Sequence, residues 1–162
     1  MDKKERFTDA IQKNDRLIYK VAGFYTGSLQ DREDLVQEII YQLWKSFDSF
    51  DNRSALTTWM YRVAMNTAVF FLNKSKRSIR TESIDHGQEY PAFPDDETEE
   101  RLKMMYDLIH ELNLQEKGVL MLWLEGKTHE EIGGLIGIST SNVGTKLSRI
   151  REKLKKQITQ KI

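Results

Sequence analysis

Apolar residues recur at three- and four-residue steps along most of the chain, and polar breaks mark where one helix stops and the next begins. Phe7, Ile11, Leu17, Ile18, Val21, Phe24 and Tyr25 give one helical stretch, closed by Gly27 and Ser28. Asp31 is placed to cap a second helix, DREDLVQEIIYQLWKSF, with Glu33 and Asp34 in its positive first turn. Leu35, Ile39, Leu43 and Phe47 form its apolar stripe, widened by Val36, Ile40 and Trp44, whereas Asp34, Gln37, Glu38 and Tyr41 fall on another face. Residues 48–53 read as a polar loop with one aromatic, Phe50. A third helix follows from about Ser54, with Leu56, Trp59, Met60, Val63, Thr67 and Phe71 in register and a basic end at Lys74, Lys76, Arg77 and Arg80.

The pattern then lapses. From Glu82 to Glu100 there are eight acids and no Lys or Arg, and both prolines, Pro91 and Pro94, lie there. This composition suits a linker better than a packed core. Helical periodicity resumes at about Glu99 with Leu102, Met105, Tyr106, Ile109 and Leu112, and a further helix, LQEKGVLMLWLEG, follows. The expected fold class is all-α: two small helical domains at about 1–80 and 99–162, joined by an acidic flexible linker at 81–98. The second would be a four-helix domain ending in a helix-turn-helix.

That last pair spans Thr128 to Leu154. Thr128 and Glu131 have the spacing of a capping box, and Ile132, Leu135 and Ile136 make one apolar stripe. Gly137 suits a left-handed C-terminal cap, Ile138 plugs the space between the helices, and Ser139 caps the next one. Gly133 inside the first helix implies a close helix–helix approach, since glycine there costs about 1 kcal/mol relative to alanine. In the second helix Val143, Leu147, Ile150 and Leu154 share a buried face. Its other faces carry Thr140, Ser141, Asn142, Gly144, Thr145 and Ser148, then Lys146, Arg149, Arg151, Lys153, Lys155 and Lys156. Short polar side chains allow approach to base edges, and the basic ones reach phosphates. From Thr140 to Ile162 there are seven Lys and Arg against one acid, Glu152. A basic face alone fits a merely solvated hairpin; the Gly-turn spacing together with the charge bias favours DNA.

Composition changes this picture little. The 162 residues carry 25 basic and 25 acidic side chains, so the net charge is zero and the signal lies in how sign is segregated along the chain. There is no cysteine, which excludes a disulfide framework and thiolate chemistry and fits a reducing cytoplasm. The N-terminal stretch is polar, and no apolar run approaches the roughly 20 residues that cross a bilayer, so a soluble, cytoplasmic protein without membrane insertion is expected. His86, His110 and His129 lack metal-ligand spacing, and no phosphate loop, nucleophile motif or carboxylate pair stands out. An enzyme is not expected.

The segments DREDLVQEIIYQLWKSF and SALTTWMYRVAMN, the basic end, the acidic linker and THEEIGGLIGISTSNVGTKLSRIREKL occur in an order that resembles a bacterial RNA polymerase sigma factor. The chain is similar to the extracytoplasmic-function (ECF) group of the sigma-70 family, which keeps regions 2 and 4. The resemblance implies that Asp34, Leu35, Gln37, Glu38 and Tyr41 lie on the helix that docks onto the beta-prime subunit of core polymerase, although Leu35 is equally compatible with core packing. It implies contact with the −10 element for Asp51, Asn52, Arg53, Ser54, Tyr61, Arg62, Asn66, Lys74, Lys76 and Arg77. Trp59 is better read as core, and an internal hydrogen bond is the alternative for Asn66.

In the second domain Thr140, Ser141, Asn142, Gly144, Thr145, Lys146, Ser148, Arg149 and Lys153 would face the −35 element. Two positions depart from the family: Gly144 stands where a basic residue is common, and Phe70, beside Phe71, where a polar or charged one is usual. The implied partners are core RNA polymerase through its beta-prime and beta subunits, promoter DNA and an anti-sigma factor, with no cofactor. The competing reading is a helix-turn-helix transcriptional regulator that acts without polymerase. Against it, the first half has no alternating strand and helix pattern.

Overall fold

The computed structural model describes residues 2–78 and 96–161. Among them are eight α-helices and one 3-10 turn, and the chain divides into two compact units, residues 1–89 and 90–162. The expected linker falls mostly on residues 79–95, which lie outside the described residues.

The first unit comprises α1 (Lys3–Lys13), α2 (Asp15–Tyr25), α3 (Leu29–Ser46), a 3-10 turn (Phe47–Ser49) and α4 (Leu56–Ser78). Helical periodicity alone gives one helix where the structure has α1 and α2. The break is Asn14, whose side-chain amide donates to the Ala10 carbonyl at 2.9 Å while its own carbonyl accepts from Leu17. A local side-chain bond of this kind ends a helix without interrupting the apolar pattern. The cap of α3 is also corrected. Ser28, not Asp31, is the N-cap, its hydroxyl accepting from the Asp31 backbone N–H at 3.1 Å. Asp31 still meets the positive helix end from inside the first turn.

Helices α2, α3 and α4 pack on one another. Ile18, Val21, Leu35, Ile39, Leu43 and Met60 are almost fully buried. The buried face of α4 is not the one that its aromatic residues suggest: it is centred on Met60, Ala64 and Ala68, with Tyr61, Met65 and Thr67 beside them. Alanine leaves no bulk between backbones, so α4 approaches its neighbours there, and Trp59, Val63 and Phe71 are left half-buried.

The second unit comprises α5 (Asp96–Glu111), α6 (Leu114–Leu124), α7 (His129–Ile136) and α8 (Thr140–Lys161). Helix α5 starts three residues before the expected Glu99. Seven consecutive residues of α6, Glu116 to Leu122, are buried, as in a helix surrounded on all sides. It packs against both α7 and α8. Asn113 and Glu116 form a capping box at its start, as Thr128 and Glu131 do for α7.

The turn between α7 and α8 is tightly specified. Gly137 adopts φ +88°, the left-handed conformation expected of it, and the Gly133 carbonyl accepts from the backbone N–H groups of both Gly137 and Ile138. Gly133 is needed for close approach, but to the turn itself rather than to another helix. A β-carbon there would lie 2.6 Å from the Ile138 carbonyl oxygen. Ser139 then caps α8 by accepting from the Asn142 N–H at 3.1 Å.

Candidate nucleic-acid interface

On α8 the core face is Val143, Leu147 and Ile150, with Leu154 half-buried. Thr140, Ser141, Asn142, Thr145, Ser148 and Arg149 are all exposed, so the residues expected to meet the −35 element share the solvent side of the helix. The Thr145 hydroxyl donates to the Ser141 carbonyl at 3.2 Å, which leaves its methyl free to face outward. Gly144 is half-buried, and a side chain there would reach only ordinary contact with the His129 ring, at 3.8 Å. His129, exposed at the start of α7 and beside α8, is a contact candidate that the sequence pattern does not single out.

One of the expected base- or phosphate-contacting lysines, Lys153, is also engaged within the fold. Lys153 Nζ lies 2.8 and 3.0 Å from the two carboxylate oxygens of Glu116, and the side chains are 53% and 6% exposed. The pair fastens α8 to α6, which gives Lys153 a structural role in addition to the DNA contact expected of it. Lys146 is half-buried, and its charge also acts on Glu116. Burial works to raise the pKa of Glu116, but hydrogen bonds from Lys153 and the Asn113 N–H, with the charges of Lys153 and Lys146, outweigh it and hold the group below the usual carboxylate range. A depressed folded-state pKa adds stability above the unfolded value that is lost as pH falls through the folded one. Glu116→Gln keeps the cap acceptor but loses the charge paired with Lys153, and is therefore expected to lower stability near neutral pH by up to about 1 kcal/mol, the scale of a half-exposed ion pair. It should also flatten the acid side of the stability profile, as measured by thermal denaturation at stepped pH.

In the first unit, α1 and the loop after α3 enclose a concavity of about 400 Å³ lined by Arg6, Asp9, Lys13, Asn14, Phe50 and Asn52 among others. The loop is built for a fixed shape. The Asp51 carboxylate accepts from the Arg53 N–H at 3.2 Å and pairs with Arg53 Nε at 2.9 Å, bending the chain through Asn52 at φ +62°. Asparagine tolerates that left-handed conformation. Beneath the loop runs a chain of rings: Phe7 on Trp44 and Phe47 at 5.1 and 5.4 Å, and Trp59 on Phe47 and Phe50 at 6.2 and 5.2 Å. Lys3 adds an ion pair to Asp48 at 2.9 Å and lies 4.1 Å over the Trp44 ring. Trp59 is thus a half-buried buttress for the loop rather than a core residue. Trp59→Ala is expected to lower stability by about 3 kcal/mol and to speed exchange of the Phe50 and Arg53 amides, which are hydrogen-bonded in the loop, as hydrogen exchange will report.

Of the other residues expected at the −10 element, Asp51, Asn52, Arg53, Arg62, Asn66 and Lys74 are exposed and Ser54 is half-buried. Asn66 points to solvent rather than into the helix packing. Tyr61 is corrected: at 5% exposure its ring belongs to the core and presents no face for stacking. Lys76 and Arg77 fall in the last turn of α4, and their side chains lie outside those described. Sequence periodicity missed the contribution of α1 to the concavity, because Arg6, Asp9 and Lys13 read as ordinary solvated positions.

On α3, Asp34, Gln37 and Tyr41 are exposed, Tyr41 by 55%, and Glu38 is half-buried. Gln30 donates to Asp34 and Gln42 to Glu38, so both carboxylates are held along the helix face. Leu35 is fully buried, in keeping with its place in the apolar stripe of α3 and with the core alternative held for it. In the second unit an apolar groove of about 260 Å³ between α5, α6 and α8 shows Met105, Trp123, Leu124 and Ile158, all four exposed. Arg151 lies 5.2 Å over the Trp123 ring. Among the described residues no group of three or more His, Cys, Asp or Glu could hold a metal ion, and no helix is long and apolar enough to cross a membrane.

Comparison with known proteins agrees with this arrangement. The Sigma-70 region 2 family matches residues 10–78, and the Sigma-70, region 4 family matches residues 102–154. The chain is 31% identical over 154 residues to the ECF RNA polymerase sigma-E factor of Haemophilus influenzae, covering 86% of this chain and 82% of that protein. It is 30% identical over 158 residues to the ECF RNA polymerase sigma factor SigG of Mycobacterium tuberculosis, covering 80% of this chain and 42% of that longer protein. In fold it resembles the sigma factor RpoE of Bartonella quintana, solved in complex with the anti-sigma factor NepR. The TM-score is 0.79 at 18% identity, over 96% of this chain and 98% of that one.

Proposed function

The chain belongs to the extracytoplasmic-function group of sigma-70 family sigma factors, and from that membership we propose how its residues divide the work of starting transcription with RNA polymerase. Residues 1–80 form the unit that binds core polymerase and the −10 element, 81–98 connect, and 99–162 form the unit that binds the −35 element. The protein performs no chemistry of its own and works in the cytoplasm, where its enzyme and its DNA are.

The observation that carries this reading is the α7–turn–α8 arrangement, with Thr140 to Arg149 exposed on one polar and basic side. Hydroxyl, amide and guanidinium groups on the front of such a helix match base-edge donors and acceptors in a major groove. In the other unit, the concavity between α1 and the loop at residues 50–54 has a size and polarity suited to an unstacked base. Arg6 and Lys13 line the same concavity and lie at hand for phosphates. Capturing an unstacked base there lowers the free energy of the opened duplex relative to the closed one, which is how a protein without a catalytic group melts DNA. The α3 face of Asp34, Gln37, Glu38 and Tyr41 offers polar contacts to a basic partner helix of the beta-prime subunit. The exposed apolar groove of the second unit supports a protein contact there, either the beta subunit or an anti-sigma factor.

Arg149→Ala is the test of the −35 assignment. Holoenzyme carrying it is expected to form normally but to lose about tenfold or more in transcription from promoters that depend on the −35 element. Unchanged promoter use would remove α8 from the reading of DNA.

A further inference from the structure

Phe70 is, at 70% exposure, the most solvent-exposed of the large apolar side chains among the described residues. Core packing does not require it, because α4 faces its neighbours with Met60, Ala64 and Ala68. Its surroundings are those of a polyanion-binding helix: between Leu56 and Ser78 every charged residue is basic, and no carboxylate occurs. Arg62, Asn66 and Lys74 are exposed, and steps of four residues place all three on the side of the helix that carries Phe70. A phenyl ring set among an amide and two cations offers an apolar contact to a partner whose surface is otherwise polar and anionic. Duplex DNA offers one such group at its base edges, the C5-methyl of thymine in the major groove.

We propose that Phe70 is a specificity-determining residue that packs against the methyl group of a thymine at the −10 element. Asn66 addresses the neighbouring base edge, and Arg62 and Lys74 address the flanking phosphates. The inference rests on the reading of α4 as a DNA-contacting helix and adds to it a preference that a polar residue at this position would not create. Because the ring is outside the core, removing it leaves the fold of the unit intact.

Deoxyuridine differs from thymine by that methyl alone, which gives a direct test. Promoters selected from a randomised library by holoenzyme containing the unaltered chain are rebuilt with each −10-region thymine replaced singly by deoxyuridine. Open-complex formation is then measured with the unaltered chain, Phe70→Ala and Phe70→Leu. The expected result is one position at which deoxyuridine lowers open-complex formation by about fourfold with the unaltered chain, the value of one buried methyl-sized group. That difference should vanish with Phe70→Ala and persist in part with Phe70→Leu. No thymine with such an effect, or an effect that Phe70→Ala retains, overturns the proposal while leaving the sigma reading intact. A uniform loss on thymine and deoxyuridine templates alike also overturns it and points to a protein surface as the partner of Phe70. If the unaltered chain supports no promoter-dependent transcription, both readings fall together.

Discussion

Gly133→Ala should lower the stability of the second unit by about 2–3 kcal/mol, as overpacking does in a well-filled site. For a unit of this size that corresponds to a fall in melting temperature of about 10 °C or more. The added β-carbon would sit 2.6 Å from the Ile138 carbonyl oxygen, and the obstacle is backbone, not a side chain that can swing away. Either α7 moves or the turn does, and the Gly133 carbonyl loses its two N–H donors from Gly137 and Ile138. DNA binding should fall with stability, because the same turn fixes the angle at which α8 is presented. Gly134→Ala is the control. Its β-carbon meets nothing within 4 Å, so this neighbour should gain up to about 1 kcal/mol from helix propensity alone. Opposite signs at adjacent glycines, read by thermal melting of the two variants, would show that the effect is steric. Equal effects would remove the argument.

A second large effect separates folding from docking on α3. Leu35→Ala should lower the stability of the first unit by about 2–5 kcal/mol, since the side chain is fully buried among α2, α3 and α4. Tyr41→Ala and Gln37→Ala, on the exposed side of the same helix, should change stability by no more than about 0.5 kcal/mol. Together they should weaken association with core polymerase by about tenfold, as removing an interface aromatic does. Competition against the unaltered chain for a limiting amount of core enzyme, with melting temperatures measured alongside, checks both halves. If the Tyr41 and Gln37 variants compete as well as the unaltered chain, the docking face lies elsewhere.

Local chemistry with one strong solution was legible in the sequence. The capping box at Thr128 and Glu131, the left-handed Gly137 and the Ser139 cap each follow from residue type at a fixed spacing, and the structure has all three. The division into two helical units followed from the lapse of periodicity between Glu82 and Glu100. What escaped was set by partners distant in sequence. Lys153 reads as one more surface cation until α6 folds against α8 and brings Glu116 to it. Tyr61 carries a family role in the sequence, yet its ring is covered in the folded unit. The face of α4 was misread because periodicity weighs Trp59 and Phe71 above alanine, whereas Ala64 and Ala68 are where the backbones come close. The break at Asn14 was hidden because apolar spacing runs through it uninterrupted.

If its two helical units read two DNA elements, this chain confers start-site selection on core RNA polymerase. Run-off transcription across a library of bacterial DNA fragments, by core enzyme with and without the chain, tests it most directly. The chain is expected to introduce a small set of sharp start sites, preceded by shared −10 and −35 sequences at a fixed separation. The same diffuse initiation with and without the chain would contradict it.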